Sequence, residues 1–518
     1  MGTSATWWRR VRTASTAGAA ASSSASGSSK PQVLFAWKCV VVCMVCFVFV
    51  ASWTDLSKHG SESLQYAMQY MPLLAGGVRS VDSRPEFPLD CDAWRSAGTC
   101  PRNLSSWSPP SWPSPSRSTC PEYFRWIHED LRHWKDSGIS KDAVEKAKDL
   151  ANFRVVILDG RVYVEELRGC FQTRVLFTIW GIVQLSRVYP NRLPNVEFMF
   201  HCEDKPVVKK ADHQPGSGPP LFRYSSANDS LDIVFPDWDF WGWVEVNIKP
   251  WKKILEEIRE ENMKTKWEER EPYAFWRGNP DVGAVRRELM ACAPTPERDW
   301  NARLYTHDWG IERGNGFQNS DLARQCTHRY KIYIEGIGWS VSNKYIMACN
   351  SPAFVITPKW FDFFTRGLTP RRDYWPIRDS DKCRSIKFGV EWGNNHTEEA
   401  KAIGERGHAY MYNGVRMEHV YDYMYHLLNE YAKLMTYKPS PPAAGREICA
   451  ESLACFESGT VRRFMDESLE TLPADSSPCE LPPPYEDQQL QEIIAGKARS
   501  IAEVEKWEDE YSATRRSS

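Results

Sequence analysis

The chain has 518 residues, too many for a single hydrophobic core, so two domains of ordinary size with appendages are expected. Its formal net charge is −2, which leaves no basic excess able to track a phosphate backbone and excludes nucleic acid as the principal partner.

Residues 1–32 are rich in Ser, Ala and Gly and carry Arg9, Arg10, Arg12 and Lys30, which reads as a disordered basic tail. Val33 to Trp53 is apolar apart from Lys38 and is long enough for a bilayer-spanning helix. With the basic flank on its N-terminal side, it reads as an uncleaved signal anchor. The positive-inside bias then makes the protein single-pass and type II, with everything after residue 54 in the lumen of the Golgi or endoplasmic reticulum. Twelve cysteines lie beyond the anchor, an even number without zinc-ligand spacing, and that favours disulfides. The sequons at Asn103, Asn228 and Asn395 are usable in the same compartment.

Residues 54–118 read as a stem, in which repeated Pro from Asn103 to Ser118 precludes regular structure. Folding is expected over residues 119–440. Tyr123 to Trp134 has helical spacing, and Arg154–Leu158 with Arg161–Val164 forms a hairpin around Asp159-Gly160. Thr173 to Tyr189 is a helix pattern, followed by a buried strand over Val196 to His201. The alternation continues with a helix over Trp251 to Trp267, a strand over Tyr273 to Trp276, a helix over Gly283 to Met290, a strand over Tyr330 to Ile334, a helix from Lys344 and a strand over Ala353 to Ile356. Such βα alternation predicts an α/β protein with parallel sheets, its ligands held at the carboxyl ends of the strands. Residues 441–518 read as a Pro-rich, acidic tail without chemistry.

Three predicted strand ends carry polar signatures. Glu203-Asp204 follows the strand ending at His201, Arg277-Gly278-Asn279 follows the strand ending at Trp276, and Gly336-Ile-Gly338-Trp-Ser340-Val-Ser342-Asn-Lys344 follows the strand ending at Ile334. Glycines there permit close backbone approach, and a strand–glycine–helix junction with Lys344 one turn in is a candidate diphosphate cradle. A carboxylate, an arginine and that junction suit a hydroxyl attacking a nucleotide-activated sugar, one group taking the proton while the others stabilise the departing diphosphate. By alternation along a strand, only one of Glu203 and Asp204 enters the crevice. Trp241 and Trp243, in the aromatic loop Trp238 to Trp243, are candidate sugar-stacking residues. Asp237-Trp-Asp239 and Asp379-Ser-Asp381 are too few ligands for a hard metal, and the second adjoins Lys382 and Arg384. No metal site is expected.

The segment from about Cys120 to Pro439 resembles the Rumi-type protein O-glucosyltransferases and fungal capsule-associated xylosyltransferases, and looks most like the plant membrane-anchored branch of that family. Strings that carry the resemblance include Cys120-Pro-Glu-Tyr-Phe-Arg-Trp-Ile-His-Glu-Asp-Leu131, Glu271-Pro-Tyr-Ala-Phe-Trp-Arg-Gly-Asn-Pro280 and Cys326-Thr-His-Arg-Tyr-Lys-Ile-Tyr-Ile-Glu-Gly336. The resemblance implies a GT-B-like fold of two Rossmann-type domains facing a cleft, a UDP-sugar donor carrying glucose or xylose, inversion at the anomeric carbon, a protein or polysaccharide acceptor and no metal. It places Asp204, in Asp204-Lys-Pro206, as the catalytic base. It assigns donor binding to Arg277, Gly278, Asn279, Gly336, Gly338, Ser340, Ser342 and Lys344, and implies a disulfide between Cys326 and Cys349. Ser342 stands where animal relatives carry an arginine. That departure favours a second reading, a catalytically inactive glycan- or nucleotide-sugar-binding protein on the same fold.

Overall fold

The computed structural model describes residues 84–107 and 118–516. Its strands run in chain order β1 (Phe153–Leu158), β2 (Arg161–Glu166), β3 (Val196–Phe200), β4 (Leu221–Arg223), β5 (Ile233–Val234), β6 (Glu271–Gly278), β7 (Ala302–Thr306), β8 (His328–Tyr333), β9 (Ala353–Ile356), β10 (Trp375–Ile377) and β11 (Arg446–Ile448). They form two sheets among helices, a mixed α/β architecture.

The first sheet has the order β11-β2-β1-β3-β4-β5. Asp159 and Gly160, both at positive φ, close the β1–β2 hairpin, with Leu158 opposite Arg161. This sheet is mixed rather than parallel. β1 pairs antiparallel with both β2 and β3, and only β3-β4-β5 are parallel, because the expected β1–β2 hairpin reverses the chain within the sheet itself. The helix Arg174–Val188 is buried over most of its length, as its nearly uninterrupted apolar sequence requires.

The second sheet, β10-β9-β8-β6-β7, is wholly parallel. From β6 the chain passes to β7 on one side and later to β8, β9 and β10 on the other. The carboxyl ends of β6 and β8 therefore flank a topological switch point, where open parallel sheets hold ligands. Trp276, Tyr330, Ile332 and Phe354 build the core beneath it.

Both flanking regions belong to the folded body. Residues 84–107 contribute the helices Cys91–Ala97 and Asn103–Ser106 where a stem was expected, and disulfides Cys91–Cys455 and Cys100–Cys449 tie them to the C-terminal region. Cys120–Cys479 adds a third such link. Residues 441–516 likewise fold. β11 extends the first sheet, and the long helix Asp487–Arg516 lays Val504, Trp507 and Tyr511 on the core of the second. No helix among the described residues is long and apolar enough to cross a membrane, and the expected anchor Val33–Trp53 lies outside them.

Candidate active site

β3 ends at Phe200, and the loop after it is held by two arginines that sequence reasoning missed. Arg174, the first residue of its helix, donates from Nη1 to the Cys202 carbonyl at 3.1 Å and to Asp204 Oδ1 at 3.0 Å. Its guanidinium lies 4.4 Å from the centre of the Trp238 ring, which fixes the plane of the fork. Arg223, fully buried on β4, donates to the Glu203 carbonyl at 2.6 Å and faces Asp232 at 3.5 Å. Burial, with the Arg223 charge alongside, pushes His201 down to about 3, so the imidazole is neutral at physiological pH. Ser225 Oγ donates to the Asp204 carbonyl at 3.2 Å. Since Cys202 to Asp204 lie beyond the strand, alternation does not separate Glu203 from Asp204. Both line the cavity, Glu203 more exposed and Asp204 half-buried beside Arg174.

That cavity, about 630 Å³, brings together nine of the sequence-predicted residues: Asp204, Arg277, Gly278, Asn279, Gly336, Gly338, Ser340, Ser342 and Trp243. Arg277 leaves β6 at its carboxyl end, rests over the Tyr305 ring at 5.0 Å and donates to the Asn319 carbonyl. The Trp243 indole donates to Gln172 Oε1 at 2.8 Å. His307, just past β7, stacks on Trp309 with ring centres 4.9 Å apart. Burial first, then the Arg277 charge, lowers its pKa, leaving a neutral imidazole in the cavity wall. No local signal marked it in the sequence.

Around the glycine turn the backbone closes on itself, Gly336 N donating to the Gly338 carbonyl at 2.9 Å. Gly338 also touches the other side of the cavity: a Cβ built on it would sit 2.3 Å from the Asp204 carbonyl oxygen. Ser340 Oγ and Ser342 Oγ are 2.9 Å apart. Ser342 occupies the N-cap position of the helix Asn343–Ala348, but its side chain makes no capping bond. The disulfide Cys326–Cys349 brackets β8, this turn and the helix. Closing that 23-residue separation stabilises the fold by about 3 kcal/mol in the chain-entropy picture.

Two predicted site residues lie elsewhere. Lys344 is 1 % exposed, and its Nζ turns away from the cavity to pair with Asp239 and, at 3.7 Å, Asp237. Tyr345 donates its hydroxyl to the other Asp239 oxygen. Burial, and then the neighbouring Asp239 charge, drives the Asp237 carboxyl well above the usual carboxylate range. The predicted diphosphate lysine is thus an internal counter-ion, which removes it from the donor set. Trp241 is fully buried, with its indole donating to the Tyr421 hydroxyl at 3.1 Å, so it presents no face to a sugar. The other Asp pair is split between cations, Asp379 with Lys382 at 3.1 Å and Asp381 with Arg384 at 3.1 Å. Cys120 and Cys479 lie near His426, but their sulfurs are joined to each other.

One carboxylate braced by an arginine, a second arginine and a glycine turn thus share a cavity at the ends of β3, β6 and β8. That is the equipment of a group-transfer site for an anionic leaving group. Residues 115–508 match the glycosyl transferase family 90 profile, and the chain belongs to that family. Its relatives there are of the Rumi type. It is 27 % identical over 328 residues to the O-glucosyltransferase rumi homolog of Aedes aegypti, covering 60 % of this chain and 78 % of the relative. With O-glucosyltransferase rumi of Drosophila melanogaster the identity is 22 % over 342 residues, 63 % of this chain and 80 % of the relative. With human protein O-glucosyltransferase 1 it is 23 % over 339 residues, 62 % and 82 %.

Proposed function

We propose that this protein is an inverting, UDP-sugar-dependent O-glycosyltransferase on a GT-B-like fold, moving glucose or xylose to a hydroxyl on a protein or polysaccharide, with Asp204 as general base. The observation that carries the reading is that Asp204, Arg277 and the Gly336–Ser340 turn line one cavity at the switch point of the parallel sheet. An inverting transfer needs a single carboxylate to accept the acceptor hydroxyl's proton as that oxygen attacks the sugar from the face opposite UDP, with no covalent intermediate. Arg277 and the turn face the diphosphate as it departs, and the reading requires no metal ion. The relatives' names support glucose and a protein acceptor. Trp243 and Phe171 provide an apolar wall on the acceptor side.

In the same reading Val33–Trp53 anchors the protein in the Golgi or endoplasmic reticulum membrane with the folded body in the lumen. Six disulfides and the exposed sequon residues Asn103, Asn228 and Asn395 support an oxidising, glycosylating compartment. The test is a mass-spectrometric donor screen on the purified protein with Asp204→Asn alongside. The variant is expected to fold and bind UDP while losing roughly 10²–10⁴-fold in turnover. Near-normal turnover in Asp204→Asn would remove the base assignment. Glycan binding without turnover of any common UDP-sugar would instead fit an inactive sugar-binding protein.

A further inference from the structure

With Lys344 neutralised inside the protein, the glycine turn still has a cation at its side, and it comes from a different element. Arg286 projects from the helix Ala284–Leu289 under the turn. Its Nε donates to the Glu335 carbonyl at 2.9 Å, and Nη2 reaches Ser340 Oγ at 3.2 Å. Nη1 lies 3.4 Å from the Asn279 carbonyl, so one fork joins the turn after β8 to the Arg277-Gly278-Asn279 loop after β6. The fork lies directly against Gly336, Nη2 being 3.5 Å from where a Cβ would stand, in ordinary van der Waals contact. Every one of these partners is a carbonyl or a hydroxyl. Among the described residues no carboxylate pairs with Arg286, whereas Lys344, Arg174 and Arg223 each have one. Burial pushes the Arg286 guanidinium down to about 10, and it remains charged at neutral pH.

A half-buried cation in a cavity wall, oriented by dipoles and left without a counter-ion, is suited to receive a ligand's negative charge. We propose that Arg286, acting with Ser340 and Ser342, is the diphosphate-recognition residue of the donor site in this protein and the source of its preference for a nucleoside diphosphate over the nucleoside. The inference rests on the nucleotide-sugar reading above. Because the fork's geometry matters as well as its charge, lysine at this position should recover only part of the effect.

The test is calorimetric titration of the purified full chain, wild type, Arg286→Gln and Arg286→Lys, with UDP and with uridine. Arg286→Gln is expected to raise the Kd for UDP about 10- to 100-fold, as loss of a charge-assisted contact does, while the Kd for uridine stays within about twofold. Arg286→Lys should fall between, and it serves as the informative variant if the glutamine form does not fold. Equal weakening of UDP and uridine would reduce Arg286 to a brace for the turn and overturn the proposal, as would unchanged UDP affinity. A wild-type protein with no preference for UDP over uridine would overturn the nucleotide-sugar reading itself, a result distinct from either.

Discussion

Replacing Gly338 with alanine tests whether the donor turn and the base are built as one unit. The φ of Gly338 is not in the left-handed region, so alanine can adopt the backbone, and any effect must come from what its methyl group meets. That methyl would lie 2.3 Å from the Asp204 carbonyl oxygen, 2.8 Å from its carbonyl carbon and 3.2 Å from its Cβ. Ordinary contact begins near 3.4 Å, so relief requires a movement of 3.4 − 2.3, about 1 Å. The obstruction is backbone, and it cannot swing aside as the end of a flexible side chain would. Asp204 is moreover fixed by Arg174 and Ser225, so either the base or the turn must give way. A misplacement of about 1 Å in a reacting group can cost on the order of 10²-fold in rate, whereas local overpacking costs roughly 1–3 kcal/mol in stability.

Gly338→Ala is therefore expected to lose about a hundredfold in kcat while still unfolding cooperatively at a somewhat lower Tm. Gly336→Ala is the comparison. A Cβ there meets Val282 Cγ1 at 3.0 Å and Arg286 Nη2 at 3.5 Å, both ends of side chains that can yield, so its effect should be several-fold and fall on donor affinity. Steady-state turnover of the UDP-sugar, titration with UDP and thermal melts give the three quantities. Wild-type kcat in Gly338→Ala, or a larger loss of kcat in Gly336→Ala, would refute the reasoning.

Lys344→Met should lower Tm sharply, because removing one partner of a buried pair costs roughly 3–5 kcal/mol, while UDP affinity of the protein that does fold stays unchanged; an unaltered Tm with weakened UDP binding would return Lys344 to the donor site. Glu335 should give the fold a pH dependence, since burial pushes its carboxyl up to about 7 although it accepts bonds from the Lys359 and Trp360 amides. Folding raises this pKa from 4.5, so the folded state holds more protons than the unfolded state between about 4.5 and 7 and stability falls as pH rises through that window, by up to about 3 kcal/mol. Glu335→Gln removes the titration, and melts from pH 4.5 to 8 should show a flatter slope; an unchanged slope would exclude Glu335 as its source.

How far the sequence carries depends on whether the deciding partner is near in the chain. The strand Ala353–Ile356 and the Asp159-Gly160 hairpin follow from side-chain type and turn chemistry within a few residues, and the structure has both. The helix predicted over Thr173 to Tyr189 is present as Arg174–Val188 for the same reason. The polar ends of β3, β6 and β8 were visible because strand ends in such folds face ligands, and they do share a cavity. Lys344 was misread because the aspartate that neutralises it lies 105 residues upstream, and a lysine at a helix start looks the same whether it faces a diphosphate or a buried carboxylate. Arg174 and Arg286 went unnoticed for a related reason: their partners, 7 to 54 residues away, are mostly backbone carbonyls, which every residue possesses and no motif records. The acidic tail looked unfoldable by composition, since its core lies elsewhere. Its ordering comes from sulfur bridges to Cys91, Cys100 and Cys120 and from a helix whose aromatic residues find their partners in Trp375 on β10 and Phe388 on the helix Lys382–Asn395. Twelve cysteines announce that bridges exist, but the pairing is a property of the folded backbone. In this protein the pairing decides that residues on both sides of the family's shared strings belong to the catalytic body. A truncation drawn from the strings alone, at Cys120 and Pro439, would therefore leave Cys120 without its partner and remove the final helix from the second sheet.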